Sequence, residues 1–198
     1  MATCKDKQFD LAIVDPPYGI NAASGASTNG TMRQKIASGE IRGGAWDNEI
    51  PNKKYFDELF RVSGNQIIWG GNYFIDYLHN SKGFFIWDKG ESIYDRDFAE
   101  CEMAWVSLNK CARIFKYFPN QTDRIHPTQK PIPVYKRLLK NYAKPEYKIF
   151  DSHLGSGSSA IAAYDFGCDF VGCEIDKEYY NAAVKRFENH KLQQTIKF

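Results

Sequence analysis

An acidic residue, two prolines and an aromatic residue follow an apolar run near the start of the chain. The run covers Phe9–Val14, and Asp15, Pro16, Pro17 and Tyr18 come directly after it. Because proline fixes φ and has no amide donor, the Asp15 carboxylate and the Pro16 carbonyl are left as acceptors at a rigid strand end. An ordinary turn more typically contains Gly, Asn or Asp-Gly. The pattern therefore indicates a polar site beside an aromatic ring, with a plain proline turn as the alternative.

A second candidate site lies in the segment DSHLGSGSS, residues 151–159. Gly155 and Gly157 stand between a predicted strand and a predicted helix, where glycines let the backbone approach a ligand and a helix N-terminus favours an anionic group. The segment lacks the lysine of a P-loop and the third glycine of G-x-G-x-x-G. Further on, Glu174 stands near a strand end, where a carboxylate can accept hydrogen bonds from ribose hydroxyls. The alternative is that an acid here caps the next helix, and Asp176 suits that position better.

Composition narrows the class of protein. The chain has 198 residues, of which 43% are hydrophobic and 15% aromatic, so a folded core is expected. Its 26 basic and 24 acidic residues nearly balance, but residues 110–148 hold ten basic residues against two acidic ones. This stretch could attract phosphates or could be an ordinary solvated face. Five scattered cysteines predict reduced thiols and no metal site, and the lack of a signal peptide or long apolar span predicts a cytoplasmic protein with no membrane contact.

The elements that must position these residues are those of an α/β fold. Hydrophobic patterning predicts strands at 9–14, 66–69, 83–87, 102–107, 113–117, 148–150 and 170–175, and helices at 53–62, 73–78, 131–143, 158–166 and 177–188. The last four elements form a βαβα unit with Gly167 as a helix stop, which predicts a parallel sheet with helices on both faces. Residues 21–48 are rich in Gly, Ser, Thr and Asn, so we expect a long mobile loop there.

The two candidate sites together resemble a known family, the amino-group DNA methyltransferases that use S-adenosyl-L-methionine. DPPY precedes the glycine loop, an order typical of the permuted β class, and the segment HPTQKP at 126–131 resembles one found in that class. The resemblance implies a doubly wound, mostly parallel sheet of the Rossmann-like methyltransferase type. It also implies one domain over residues 1–198, with a catalytic half at about 9–109 and a cofactor-binding half at about 124–190.

The resemblance implies a role for each matching residue. Asp15 and the Pro16 carbonyl would accept hydrogen bonds from the two N–H protons of an exocyclic amine, and Tyr18 would stack on a base flipped from double-stranded DNA. A carbon-5 cytosine methylase is disfavoured because the chain has no Pro-Cys dipeptide. The implied catalytic residues are Asp15, Pro16, Pro17 and Tyr18. The implied cofactor-binding residues are Asp151, Ser152, His153, Gly155, Ser156, Gly157, Ser158, Glu174, Ile175, His126, Thr128, Gln129 and Lys130.

The chain departs from the family pattern in three places. Ser152 and His153 replace the usual Pro and Phe of the glycine loop. Only eight residues precede the first strand, so we expect the family's preceding strand and its acidic residue to be shortened or missing. The middle of the chain has little room for a large target-recognition domain, so target reading is expected from residues 21–48 and 88–116. Trp69, Tyr73 and Phe74 stand where the family lines its pocket, with core packing as the alternative for Trp69.

Several functions stay open at this stage. Adenine N6 is favoured as the target because cytosine-N4 enzymes more often carry Ser at the position of Asp15. Protein-glutamine and RNA-adenine methylases share (N/D)PPY but place the cofactor loop first. A truncated, catalytically impaired DNA-binding relative is the alternative from another class. A homodimer, a partner restriction endonuclease, and a phage or mobile-element context are each compatible with the class.

Overall fold

The computed structural model describes residues 1–21, 46–96, 99–118 and 124–195. Most of the predicted loop at 21–48 therefore lies outside the described residues. Within them the strands are β1 (Phe9–Val14), β2 (Ser63–Trp69), β3 (Gly83–Asp88), β4 (Cys101–Val106), β5 (Arg113–Lys116), β6 (Lys148–Asp151) and β7 (Asp169–Gly172). The helices are α1 (Lys53–Val62), α2 (Ile132–Tyr142), α3 (Ser158–Phe166) and α4 (Lys177–Thr195).

The strands pair in one sheet, in the order β5-β3-β4-β2-β1-β6-β7. β1 pairs in parallel with both β2 and β6, and the β6–β7 and β3–β5 pairs are also parallel. Only β4 runs antiparallel to its neighbours β2 and β3 among these strands. The predicted doubly wound, mostly parallel sheet is confirmed.

Helices cover both faces of the sheet. α1 packs on one face through Phe56, Leu59 and Val62, while α2 and α3 pack on the other, where Leu138 and Ala162 join the core. The chain therefore switches faces between the β1–α1–β2 unit and the β6–α3–β7 unit. The central strands β1 and β6 are neighbours at this point, and a crevice beyond the carboxyl ends of such strands is where α/β proteins bind ligands.

Local signals explain where several elements begin and end. The Asn52 side chain accepts a hydrogen bond from the Tyr55 amide at 3.2 Å and caps α1. Asp176 Oδ1 accepts from the amide of Glu178 at 2.9 Å, so the capping role predicted for Asp176 at α4 is confirmed. Gly167 has a φ of 83° directly after α3, a left-handed conformation that stops the helix.

Several predicted elements differ from the structure: β2 begins at Ser63, three residues before its predicted start, and α4 ends at Thr195, seven residues after its predicted end. The predicted helix at 73–78 is wrong, because this segment contains two 3-10 turns, Gly71–Tyr73 and Ile75–Tyr77. The predicted strand at 170–175 ends earlier, at Gly172. Its continuation bends over the glycine loop, where the Leu154 amide donates to the Cys173 carbonyl at 2.9 Å. Among the described helices, none is both long and apolar enough to cross a membrane.

Candidate active site

The two sequence motifs meet at the carboxyl ends of neighbouring strands. Ala12 of β1 lies opposite Phe150 of β6, so Asp15 follows one strand and Asp151 ends the other at the same edge of the sheet. The residues of DPPY and of the glycine loop are more than a hundred positions apart in sequence. The parallel pairing of β1 with β6 is what brings them to one crevice.

Asp15 is held by two donors. The Tyr18 hydroxyl donates to Asp15 Oδ1 at 2.6 Å, and the Lys130 ammonium donates to Oδ2 at 2.5 Å. The ammonium also lies 3.2 Å from the Tyr18 hydroxyl, which closes a triangle of polar atoms. The Asp15 side chain is 15% exposed and that of Lys130 only 3%. The carboxylate is therefore fixed in orientation while one side remains open.

Around Asp15 and Lys130, burial and charge interactions shift the pKa values in opposite directions. Burial raises the pKa of the Asp15 carboxyl, although Lys130 counters the shift. Burial alone would lower the pKa of Lys130, but Asp15 and Glu102 raise it, so the ammonium stays charged. Burial and the neighbouring carboxylates raise the pKa of Tyr18 well above its usual value, so the phenol keeps its proton and acts as a donor.

The Tyr18 ring belongs to an aromatic platform. It stacks on Tyr73 with ring centres 5.0 Å apart and planes 14° from parallel, and its edge meets Phe74. Tyr73 is 42% exposed and Phe74 is fully buried, so Tyr73 forms the open part of the platform. Trp69 is fully buried in the core under the Lys130 ammonium, 4.9 Å from its ring centre. The core-packing alternative for Trp69 is thus the one that the structure supports.

Gly70 makes room for this platform, and sequence reasoning assigned it no part in the site. Its φ is 68°, and a Cβ at this position would lie 2.2 Å from the Tyr18 ring. Any side chain here would therefore displace the ring. The position of Gly70 directly after β2 is visible in the sequence and indicates a strand end. Its contact with Tyr18 is made only in the folded chain, so the sequence does not predict it.

Asp47 is a second residue that sequence reasoning missed. Its side chain is buried, and Oδ1 accepts from the amides of Tyr18 at 2.6 Å and Gly19 at 3.1 Å. These bonds fix the backbone directly after the two prolines. The neighbouring Trp46 lies against His126, with ring centres 5.4 Å apart. No local spacing rule links position 47 to position 18.

The glycine loop is organised by two carboxylates. Asp151 accepts from the Ser159 hydroxyl at 2.6 Å and from the His153 amide at 2.9 Å. Glu174 accepts from the Gly155 amide at 2.8 Å. Burial raises the pKa of the Asp151 carboxyl to about 7, with a smaller contribution from Asp15, so Asp151 changes its charge near neutral pH.

The departures from the family loop form a small polar cluster. The Tyr55 hydroxyl lies 2.8 Å from Ser152 Oγ and 3.4 Å from His153 Nδ1. The rings of Tyr55 and His153 meet edge to face, 5.4 Å between centres. Burial lowers the pKa of His153 to about 4, so its imidazole is neutral at pH 7. Ser152 and His153 are thus packed against α1.

The remaining loop residues lie on the side of α4. Arg186 donates to the Ser156 carbonyl at 3.0 Å and to Ser158 Oγ at 2.9 Å, which ties the start of α3 to α4. Gly157 has a φ of 73°, and a Cβ there would meet Ala183 at 3.2 Å. Ile175 is fully exposed.

The HPTQKP segment spans both motifs. The His126 ring lies beside Gly155, and its Nδ1 is within 3.3 Å of both polar atoms of Thr128. Burial lowers the pKa of His126 to about 4, so this ring is also neutral. Gln129 is buried and accepts from the Ile125 amide at 3.0 Å. Lys130, three positions after Pro127, instead reaches Asp15, so the segment bridges the loop and the strand end.

The predicted basic face is partly neutralised. Lys136 pairs with Asp165 at 2.6 Å, and Lys116 pairs with Glu91 at 2.6 Å. The guanidinium of Arg137 lies 5.7 Å from the Phe115 ring centre. The part of the chain that the structure describes contains no cluster of three or more side chains suited to hold a metal ion.

Comparison with solved structures defines the class of fold. The chain aligns with M1.HpyAVI in its complex with SAM at a TM-score of 0.56, with 20% identity over 90% of this chain and 89% of the other. It aligns with the PvuII DNA methyltransferase, which is cytosine-N4-specific, at a TM-score of 0.63, with 11% identity over 94% and 82%. The fold is therefore that of the S-adenosylmethionine-dependent methyltransferases.

Sequence comparison finds similar proteins among the DNA methylases. A family model described as DNA methylase, of the N6 and N4 type, matches residues 88–185. A type II methyltransferase of Streptococcus pneumoniae, M2.DpnII, is 38% identical over 63 residues, which are 32% of this chain and 24% of that protein. The matched segments span 22–28% of the curated relatives. The resemblance to the amino-group DNA methyltransferases that was found in the sequence is confirmed over residues 88–185, and these matches do not distinguish an N6 from an N4 enzyme.

Proposed function

We propose that this protein transfers a methyl group from S-adenosyl-L-methionine to the N6 amine of an adenine flipped out of double-stranded DNA. The observation that carries the proposal is the position of Asp15. Its carboxylate stands at the end of β1 beside the Tyr18–Tyr73 platform, at the same edge of the sheet as the glycine loop. An acceptor, a stacking surface and a cofactor-type loop thus face one crevice.

The residues of the loop suit the proposed cofactor. Asp151 and Glu174 each accept hydrogen bonds within the loop, and each carboxylate has further lone pairs that can accept more. Asp151 would bind the ammonium group of the cofactor, and Glu174 would bind its ribose hydroxyls. Gly155 and Gly157 both have a positive φ, and because they have no side chain, a ligand can approach their backbone closely. Ser156 and Ser158, at the start of α3, are close to a helix N-terminus, which favours a carboxylate. His126, whose ring lies beside Gly155, would cover the amino-acid end of the bound cofactor.

The chemistry at Asp15 is hydrogen bonding, not covalent attack. When bound, S-adenosyl-L-methionine supplies a methyl group on a positively charged sulfur. The Asp15 carboxylate and the Pro16 carbonyl would accept hydrogen bonds from the two N–H groups of the amine, which draws the nitrogen lone pair out of conjugation with the base. Asp15 would take up the one proton that the amine loses when its nitrogen gains the methyl group. Tyr18 would hold the base by stacking and return part of the cost of flipping. The main contributions would then be positioning and electrostatics.

The choice of adenine rests on the Asp in DPPY. The likeness to the cytosine-N4-specific PvuII enzyme is an observation in favour of cytosine N4 as the second candidate. Asp15 would act on either exocyclic amine in the same manner. A catalytically impaired DNA-binding relative, the alternative from another class, would retain the fold but would not bind the cofactor. Partners other than DNA, including a second copy or a restriction endonuclease, stay predictions of the family resemblance.

The test is to incubate the protein with methyl-labelled S-adenosyl-L-methionine and methylation-free genomic DNA, digest the DNA, and identify the labelled nucleoside by mass spectrometry. Labelled N6-methyladenine is the expected product. Labelled N4-methylcytosine would retain the mechanism and replace the target. If no labelled nucleoside forms and calorimetric titration detects no cofactor binding, the proposed activity is wrong and the impaired relative is correct.

A further inference from the structure

Four charged side chains form a continuous chain that begins at Asp15. Lys130 Nζ lies 2.5 Å from Asp15 Oδ2 and 3.1 Å from Glu102 Oε2. Lys89 Nζ lies 3.0 Å from the other oxygen of Glu102. The members come from the ends of β1 and β3, from β4, and from the segment before α2. The chain therefore links the proposed amine acceptor to the antiparallel part of the sheet.

The four groups carry no net charge together and are largely removed from water. The side chains of Lys130, Asp15, Lys89 and Glu102 are 3%, 15%, 16% and 25% exposed. Indole rings lie beside both cations: Lys130 is 4.9 Å from the Trp69 ring centre, and Lys89 is 5.5 Å from that of Trp87. Removing one charge from such a set changes the field at the others, because little solvent is present to screen it.

We propose that Glu102 and Lys89 are positioning residues for methyl transfer: acting through Lys130, they set how strongly the Asp15 carboxylate is paired and how readily it accepts an amine proton. This inference rests on the proposed function for its role in turnover. Glu102 competes with Asp15 for the same ammonium. Lys89 neutralises Glu102 and thereby limits that competition.

The geometry predicts opposite effects for the two residues. Without Glu102, Lys130 pairs with Asp15 alone, and a negative charge is lost from the neighbourhood, so Asp15 ionises at lower pH. Without Lys89, Glu102 is neutralised by Lys130 alone, so less of the positive charge is available to Asp15, which then ionises at higher pH. A purely structural role would not move the two variants in opposite directions.

Other titratable groups also face Asp15 and must be considered. They come from its own segment, from α1, from the segment before α2, from α2, and from β4 and β6: Tyr18, Tyr55, Lys130, Tyr135, Glu102 and Asp151. Burial raises the pKa of each of the three tyrosines, so these remain neutral near pH 7. Asp151 titrates at about pH 7 and is therefore the group whose signal must be told apart from that of Asp15.

The first measurement needs neither cofactor nor DNA. The full chain is labelled with carboxyl-13C aspartate, the Asp15 signal is assigned by its loss in Asp15→Asn, and the Asp151 signal by its loss in Asp151→Asn. The titration midpoint of Asp15 is then compared in the wild type, Glu102→Gln and Lys89→Met. We expect the midpoint to fall by about half a pH unit in Glu102→Gln and to rise by a similar amount in Lys89→Met. The exposed pair Lys53–Asp57 supplies matched controls, Lys53→Met and Asp57→Asn, with no shift expected.

Two further variants strengthen the test. The double variant Glu102→Gln and Lys89→Met removes both charges, so the titration midpoint of Asp15 should return toward the wild-type value. If Glu102→Gln does not fold, Glu102→Asp replaces it, because a carboxylate one methylene shorter pairs less closely with Lys130 and should give a smaller shift in the same direction. Midpoints that do not move, or that move in the same direction in both single variants, overturn the inference.

The role of Glu102 and Lys89 in turnover is then measured from the fall of kcat at low pH, the acid limb of the profile of kcat against pH, with DNA that can be methylated as the substrate. The limb should follow the NMR midpoints, lower in Glu102→Gln and higher in Lys89→Met, with KM for the cofactor unchanged. If the wild type transfers methyl groups but the limb stays fixed, the inference fails and the proposed function stands. If the wild type transfers none, the proposed function fails and the role in turnover with it, while the NMR midpoints still decide whether the chain controls Asp15.

Discussion

A carboxylate as buried as Asp15 would hold a proton unless positive charge or hydrogen-bond donors were placed against it. This chain supplies both, from residues 3 and 115 positions further along, Tyr18 and Lys130. The arrangement leaves lone pairs on the carboxylate for a third donor. An exocyclic amine, which has two protons to donate, matches the acceptors provided by Asp15 and the carbonyl of Pro16.

Replacing Asp15 tests this directly. In Asp15→Asn the side chain keeps its shape, but its oxygen is a weaker acceptor and its amide cannot take a proton. We expect kcat to fall by about 10²–10⁴-fold, while calorimetry detects cofactor binding within about threefold of wild type, a change under 1 kcal/mol. The control is Asp57→Asn on the exposed face of α1. Wild-type turnover in Asp15→Asn would remove Asp15 from the proposed mechanism.

The platform can be tested through Gly70 without altering an aromatic residue. Gly70→Ala places a methyl group 2.2 Å from the present position of the Tyr18 ring, so the ring must move and stacking on the base should weaken. We expect KM for DNA to rise by about tenfold, equivalent to about 1.4 kcal/mol. Gly167→Ala is the matched control, because its φ is also positive, 83°, while its nearest neighbour atom is 3.9 Å away. Equal effects of both substitutions on DNA affinity would mean that backbone strain, not Tyr18, is responsible.

At the residue scale, the site residues that the sequence predicts are those that lie close together along the chain. Asp15, Pro16 and Tyr18 are contiguous, so their common site could be predicted from residue types alone. Asp47 and Glu102 act through contacts that only the folded chain creates. The residues of HPTQKP are contiguous, so the sequence predicts that they act as one segment. Its spacing does not specify how the backbone turns, and this turn is what places His126 at the glycine loop and Lys130 at Asp15.

At the scale of elements, the long amphipathic helices and the apolar strands were predicted closely. α1 and α3 have the predicted bounds, and β1 is where its apolar run places it. The C-terminal end of α4 was predicted seven residues too early. The elements whose type was predicted wrongly are short segments whose form is set by neighbouring residues. Residues 73–78 form 3-10 turns because Phe74 is buried and Tyr73 must reach Tyr18, and helix propensity is too weak to oppose such tertiary contacts.

We expect the exposed charges of α2 to contact DNA phosphates, because this helix lies in the basic stretch at residues 110–148. Lys136 is already paired with Asp165, so Arg137 and Lys140 are the better candidates to meet phosphates. The Arg137→Gln and Lys140→Gln double variant should weaken DNA binding and reduce the slope of log K against log salt by about one to two. Fluorescence anisotropy with a short duplex at several salt concentrations measures this slope. A double variant of Lys185 and Lys191 on α4 removes the same number of charges, and an equal loss of slope there would contradict a specific contact by α2.

The whole molecule joins two halves of a site through strand order. The chain places DPPY before the glycine loop, yet β1 and β6 are neighbours in the sheet, so the order of motifs in sequence does not matter for the crevice that they form. This is why the permuted order was compatible with a methyltransferase fold from the outset. The sequence could not reveal the sheet order itself, which is fixed by long-range pairing.

A ligand that binds this crevice should stabilise the entire fold, and the size of the effect should depend on pH through Asp151. Its pKa of about 7 means that the carboxylate is ionised at pH 8 and mostly protonated at pH 6, so the affinity for a ligand ammonium should be about tenfold lower at pH 6. With S-adenosyl-L-methionine at a hundred times its Kd at pH 8, stabilisation is about 2.7 kcal/mol, and Tm should rise by about 5–11 °C. At pH 6 the same concentration should raise Tm by only about half as much. 5′-Methylthioadenosine, which lacks the amino-acid part, is the matched ligand and should give a shift that does not depend on pH. If both ligands lose stabilisation equally between pH 8 and pH 6, Asp151 does not hold the ammonium group.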